Sequence, residues 1–182
     1  GEGVDVLVMT ATPIPRTLML TAYGDLQTSQ LTQKPAGRAA IATRVIPHGR
    51  LDEVISGIRR AVDSGAKVYW VCPLVEESEV SALAAAENRA RHLRDTLGNC
   101  VALVHGQMKG ADKDAAMADF AGHEPGGPKV LVATTVIEVG VDVPEASVMV
   151  VEHAERFGLA QLHQLRGRIG RGNKASSCLL LY

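Results

Sequence analysis

At 182 residues the chain is long enough for one good-sized core and part of a second domain. Its 46% hydrophobic and 21% charged residues are those of an ordinary globular protein, which excludes a disordered or fibrous chain. With 19 Lys+Arg against 20 Asp+Glu, and 3% aromatic residues, it neither coats nucleic acid by bulk charge nor offers a platform of rings for base stacking. Any phosphate contact must therefore be local.

Residues 1–38 hold "VDVLVMTATPIPRTLMLTAYGDL", which reads as a strand, a proline-marked turn and a short helix. "TQKPAGRAA" follows with the Pro and Gly of a linker. This piece lacks partners for a core of its own and reads as the tail of a preceding domain. The opening "GEGVD" and the closing "CLLLY" both look like cuts in a longer chain.

From residue 39 to 182 short apolar runs alternate with helical stretches. The runs are "TRVI", "KVYWVC", "VALV", "KVLVA", "SVMVV" and "CLLLY". Leu51, Val54, Ile55, Ile58 and Val62 recur at helical spacing, with Gly65 as a stop. Leu83, Ala86, Ala90, Leu93 and Leu97 do the same, with Ser81 placed to cap the start. Ala116, Met117 and Phe120 form a weaker stripe, and Asp112 and Asp114 suit the first turn of that helix. Strands apolar on both faces and separated by helices predict an α/β fold, with a parallel sheet of five or six strands sandwiched by helices.

No run approaches the roughly 20 apolar residues of a membrane span, and no secretory leader pattern is present. Cys72, Cys100 and Cys178 are odd in number and far apart, and read as reduced, buried thiols of a cytosolic protein.

In parallel sheets ligands bind beyond the carboxyl ends of the strands. "HGQMK", "TTVIEVGVDVP" and "EHAERFG" each follow an apolar run, so these loops are expected to converge on one edge, together with a helix carrying the arginines of "HQLRGRIGRG". Arg168 and Arg171 are three apart and would share a helix face, with Arg166 pointing elsewhere. Each interior glycine costs roughly 1 kcal/mol against alanine. What Gly167, Gly170 and Gly172 offer in return is close approach of another surface, which suits bidentate capture of phosphate oxygens by the arginine pair. The plainer alternative pairs these arginines with Glu152 or Glu155 on a solvated face.

Thr134 and Thr135 leave a buried strand and offer donors to a phosphate; Gly140 permits a tight return, and Asp142 offers an acceptor before Pro144. The same residues would also serve as a helix cap and an Asx-turn. His105 and Gly106 at a strand end read first as structural, and Glu76, Glu77 and Glu79 as a solvated loop. No zinc-ligand spacing and no nucleophile elbow occurs. The phosphate cradle G-x-x-x-x-G-K-[ST] is missing too, so the chain has parts to touch a triphosphate from one side and none to hold it.

"MTATPIPRT" resembles motif III of superfamily-two helicases, "VLVATTVIEVGVDVP" motif V and "QLHQLRGRIGRG" motif VI, with "VHGQMK" between motifs IV and V. Within that superfamily "LTAYGDL", "VCPLVEESE" and "RFGLAQLHQLRGRIGRG" resemble the RecG family of bacterial ATP-dependent DNA helicases, over essentially the whole chain. The motor of transcription-repair coupling factors shares "TATPIPRTL" and "GLAQLHQLRGR" and is the nearest alternative. A non-enzymatic interaction module of the same shape is a further one.

The resemblance implies a RecA-like fold in which residues 1–38 end a first motor domain and residues 39–182 form the second. It implies ATP and Mg2+ held mainly by that first domain, double-stranded and branched DNA as partner, and no membrane, in the bacterial cytoplasm. Arg168 and Arg171 become candidate fingers for the γ-phosphate, and Gln164 opens the Q-x-x-G-R-x-G-R pattern. Gly140 and Asp142 would face the nucleotide and its ribose. Thr134 and Thr135 would meet the DNA backbone, with His105 and Gly106 beside them, and Thr10 and Thr12 would link hydrolysis to DNA grip.

Overall fold

"KVYWVC" sets the architecture. Its six residues, Lys67–Cys72, are all buried, so apolar layers must cover both faces of the strand they form. The computed structural model of the chain describes residues 40–73, 79–134, 143–172 and 174–182, together with Ser29. The chain divides into two units, Gly1–Ala36 and Gly37–Tyr182, and apart from Ser29 the described residues belong to the second. Thr10, Thr12, Glu76, Glu77, Thr135, Gly140 and Asp142 lie outside the described residues.

In chain order the second unit runs β1 (Ile41–Ile46), α1 (Leu51–Asp63), β2 (Lys67–Cys72), α2 (Glu79–Leu97), β3 (Val101–Val104) and α3 (Gly110–Ala121). It continues through β4 (Val130–Thr134), β5 (Ala146–Val151), α4 (Leu159–Arg166) and β6 (Ser176–Leu181). Short 3-10 turns at His48–Arg50 and Ala154–Arg156 follow β1 and β5. The six strands form one sheet in the order β1-β6-β5-β2-β4-β3, and every pairing is parallel.

Side chains alternate across that sheet. Val68, Trp70 and Cys72 of β2 point into a layer with Val54, Ile55 and Ile58 of α1 and Ala86, Ala90 and Leu93 of α2. Tyr69 and Val71 point the other way, against Met117 and Phe120 of α3 and Leu165 of α4. The helix-spaced residues of α1 and α2 are thus the core face their spacing predicts, except that Ala82, not Leu83, is buried in the first turn of α2. One boundary differs: α2 begins at Glu79, so Ser81 stands in its first turn and not at its N-cap.

Lys67 is the exception in the apolar strand. It is 2% exposed, and its ammonium donates to the carbonyls of Ala121 and Gly122 at 3.0 and 2.7 Å, where α3 leaves carbonyls without partners. Burial, foremost, holds its pKa below the ordinary lysine value. Lys67→Met is expected to strand those carbonyls and cost about 1–3 kcal/mol. A fall in the urea midpoint with an unchanged slope would register it.

Candidate functional site: two edges of one sheet

His105 and Gly106 follow β3, Thr134 ends β4, and Glu152 and His153 follow β5, so these residues share the carboxyl edge of the sheet. Thr134 is 7% exposed. His105 Nδ1 is buried with no hydrogen-bond partner among the described residues, while Gly106 is exposed and its carbonyl accepts a bond from Lys113 Nζ at 2.9 Å. The edge is therefore open around Gly106 and closed around Thr134.

The arginines stand elsewhere. Gly158 caps the start of helix α4, its N–H donating to Gln161 Oε1 at 3.0 Å, and the helix ends at Arg166. Gly167 caps its C-terminus, donating to the carbonyls of His163 and Leu165. Arg168 and Arg171 consequently lie in the loop beyond the helix, and the shared helix face expected for them does not exist. Exposed Gln164 is the only one of the expected motif residues on α4 itself, two residues before its end.

That loop sits at the amino edge of the sheet. Gly170, with φ +73°, lies against Ile41 and Ser176, the first residues of β1 and β6. A Cβ on Gly172 would stand 2.6 Å from the carbonyl oxygen of Pro144, two residues before β5. The reason is length: eight residues of helix rise about 12 Å, enough to return most of the way along a strand of roughly 17–20 Å. The shared edge expected for the loops thus holds for His105, Gly106, Thr134, Glu152 and His153, and the correction falls on the arginines, which stand at the amino edge. The glycines' space is also partly accounted for, because the close neighbours at Gly170 and Gly172 are Ile41 and Pro144 of this chain.

Around the loop, Ile169 is 1% exposed and anchors it in the core, Arg168 is half-buried, and Arg171 is exposed with its Nε donating to the Gly167 carbonyl at 3.4 Å. An anchored backbone carrying an exposed arginine is suited to bring positive charge to a facing anion.

Glu152, 6% exposed, serves a different partner from the one the sequence suggested. Arg89 of α2 donates to it from Nε at 2.5 Å and from Nη2 at 3.0 Å, and Trp70 Nε1 donates at 2.5 Å. His48 Nε2 approaches to 3.6 Å, and the Arg89 guanidinium lies 5.7 Å from the Trp70 ring centre. Burial raises the Glu152 pKa, but the hydrogen bond and charge of Arg89, with Trp70 and His48, outweigh it and hold the carboxyl below its ordinary value. Glu155 pairs with His153 at 3.1 Å. Sequence reading missed this node; its signal is a carboxylate directly ending a fully apolar strand run, where an unpaired charge would be costly.

Among the described residues one group has converging metal-ligand atoms, namely His48, Glu152 and His153. Its carboxylate is already held by two Arg89 bonds and by Trp70, and its two imidazoles are unlike the oxygen ligands magnesium takes. These residues do not fit a magnesium site.

The model of the helicase conserved C-terminal domain matches residues 49–173. The chain belongs to that family. As a helicase C-terminal domain it matches the RecA-like motor region of RecG proteins. It is 54% identical to the ATP-dependent DNA helicase RecG of Acidithiobacillus ferridurans over 183 residues, covering 100% of this chain and 26% of that protein. It is 54% identical to RecG of Escherichia coli strain K12 over 178 residues, covering 97% of this chain and 25% of that protein. A solved structure of RecG bound to a three-way DNA junction superposes with a TM-score of 0.80 at 43% identity, covering 98% of this chain and 23% of that one. Dbp5 bound to RNA and ADP BeF3, at 19% identity and a TM-score of 0.55, shares the fold. The chain thus spans about a quarter of the length of the RecG relatives it matches. Among its described residues no helix is long and apolar enough to cross a membrane.

Proposed function

We propose that residues 39–182 are the second motor domain of a RecG-type, ATP-dependent DNA helicase, and that residues 1–38 close the first. The observation that carries this reading is the RecG–junction likeness over 98% of the chain, with the complete Q-x-x-G-R-x-G-R run spanning the end of α4 and the anchored loop beyond it. In this reading the protein acts in the bacterial cytoplasm on double-stranded and branched DNA, remodelling stalled forks and recombination junctions.

The two edges divide the work. Arg171 and Arg168 reach from the amino edge to the γ-phosphate of ATP gripped by the other motor half, and Gln164, Gly140 and Asp142 complete the nucleotide side. Gly106, exposed after β3, and Thr135, after β4, meet the DNA backbone, with His105 and the buried Thr134 beside them. Thr10 and Thr12 belong to the motif that links the two in the first half. Magnesium, bound by the other half, neutralises charge on the phosphates. This chain adds positive charge as the halves close, so closure and hydrolysis are tied together.

The chain's lack of a phosphate cradle supplies the test. Alone, the 182-residue chain is expected to hydrolyse no ATP above background, with or without DNA. The full-length protein is expected to show turnover that rises with branched DNA. Turnover by the isolated chain, or a full-length protein indifferent to DNA, would overturn the reading.

A further inference from the structure

The carboxyl edge also gathers side chains that neither the nucleotide side nor the DNA side uses. His48 follows β1, Glu152 and His153 follow β5, and each brings one ligand atom within 4.8 Å of the other two. His48 Nε2 stands 3.6 Å from Glu152 Oε2. That is too long for a hydrogen bond, and near the roughly 3.4 Å between a nitrogen and an oxygen on one tetrahedral zinc ion with bonds of about 2.0–2.2 Å. The carboxylate has room for a further partner. Among the described residues Oε1 takes the Arg89 Nε and Trp70 bonds, while Oε2 takes only Arg89 Nη2. Those bonds fix its orientation, as bonds behind a metal ligand do. His153 is held as well: its Nδ1 is 3.1 Å from Glu155 Oε1, and a proton kept there leaves the lone pair on Nε2. Its φ of +48° is the one positive value for a non-glycine residue among the described residues, and its ring stacks on that of His48 with centres 5.4 Å apart. The two imidazoles are 40% and 44% exposed, so an ion can enter from solvent.

We infer that His48, Glu152 and His153 form a site for a divalent transition-metal ion of the zinc class. Imidazole suits zinc and its d-block neighbours as it does not suit magnesium, and water completes the ion's shell. The bound ion is a staple. Strand β6 lies between β1 and β5, and the His48 N–H already donates to the Tyr182 carbonyl just past β6 at 2.7 Å. An ion held by His48 and His153 therefore ties the edge strand β1 to β5 across β6, two strands that do not pair directly. No ligand spacing in the sequence marks the site, because its two histidines come from the ends of different strands.

The test uses the full-length protein, stripped with a chelator, and zinc as the probe. Competition against a chromophoric chelator is expected to show a zinc ion bound to the wild type that excess magnesium does not displace. Binding is expected to raise the melting temperature, since the ion prefers the folded chain. His153→Asn, whose side chain tolerates the left-handed backbone, and His48→Gln are each expected to weaken that binding about tenfold or more and to abolish the zinc-dependent rise. Melts without metal should coincide for wild type and His153→Asn, so that lost binding reports a lost ligand and not a lost fold. Equal zinc affinity in the wild type and both variants would overturn the site, as would a zinc-dependent rise that persists in both. A lowered metal-free melt in His153→Asn with zinc affinity unchanged would also overturn it, and leave the histidine a packing role alone.

Discussion

Arg171→Ala in the full-length protein is expected to cut ATP turnover by roughly 10³–10⁵-fold, the range for a guanidinium that stabilises phosphoryl transfer. The argument is electrostatic. Arg171 is exposed, on a loop anchored by buried Ile169 and packed against Ile41 and Pro144. A group so held pays little reorganisation when a facing triphosphate meets it in a closing, water-poor cleft. Lysine would restore charge but not the planar fork, so Arg171→Lys is expected to recover only part of the rate. DNA affinity should stay within a few-fold, because the proposed DNA contacts sit at the other edge. Steady-state ATPase assays beside anisotropy titrations decide it. A variant with normal turnover would remove the finger assignment, and one that lost DNA binding in proportion would place Arg171 on the DNA instead.

The second large effect is on stability. Glu152→Ala removes the carboxylate that takes both Arg89 bonds and the Trp70 bond, and leaves a largely buried guanidinium against an indole. Breaking a buried pair from one side costs about 3–5 kcal/mol. That is a large share of the roughly 5–15 kcal/mol that holds a domain folded. Urea unfolding should show it as a lowered midpoint. Removing both partners together, as in Glu152→Leu with Arg89→Met, should be far less harmful, since no charge is left unpaired.

The same node gives a pH signature. The Glu152 carboxyl is held below its ordinary value of 4.5 in the fold. Its contribution is therefore complete above the unfolded value and is lost as pH falls through the lower folded one. Wild-type stability should fall below about pH 4.5 more steeply than that of Glu152→Gln. Equal slopes in acid urea titrations would show that Arg89 does not hold the carboxyl ionised.

Much of the architecture was legible because it is written in local pattern. Strands apolar on both faces can only lie in a sheet covered twice, and "KVYWVC" and "VLVAT" are buried along their whole length. The stripes of α1 and α2 name their own core faces for the same reason, since a 3.6-residue period admits one solution. Residue chemistry alone also made the arginine–glycine run a candidate phosphate reader with no cradle in the sequence.

What the pattern could not carry was anything settled by distant neighbours. Gly167 is compatible with a helix interior and with a helix end, and the contacts of Gly170 with Ile41 and Gly172 with Pro144 go with a chain that has left the helix at Arg166. Glu152 looked available to the nearby arginines, yet it is claimed by Arg89, 63 residues away, because α2 packs over the strand ends. The placement of the arginine loop opposite the carboxyl ends of β3 and β4 depends on how far α4 travels before it stops. Sequence determined which residues are candidates to meet a nucleotide and a nucleic acid. Only the tertiary structure decided where they stand, since separation across a sheet is a matter of chain length and packing that no short run of residues encodes.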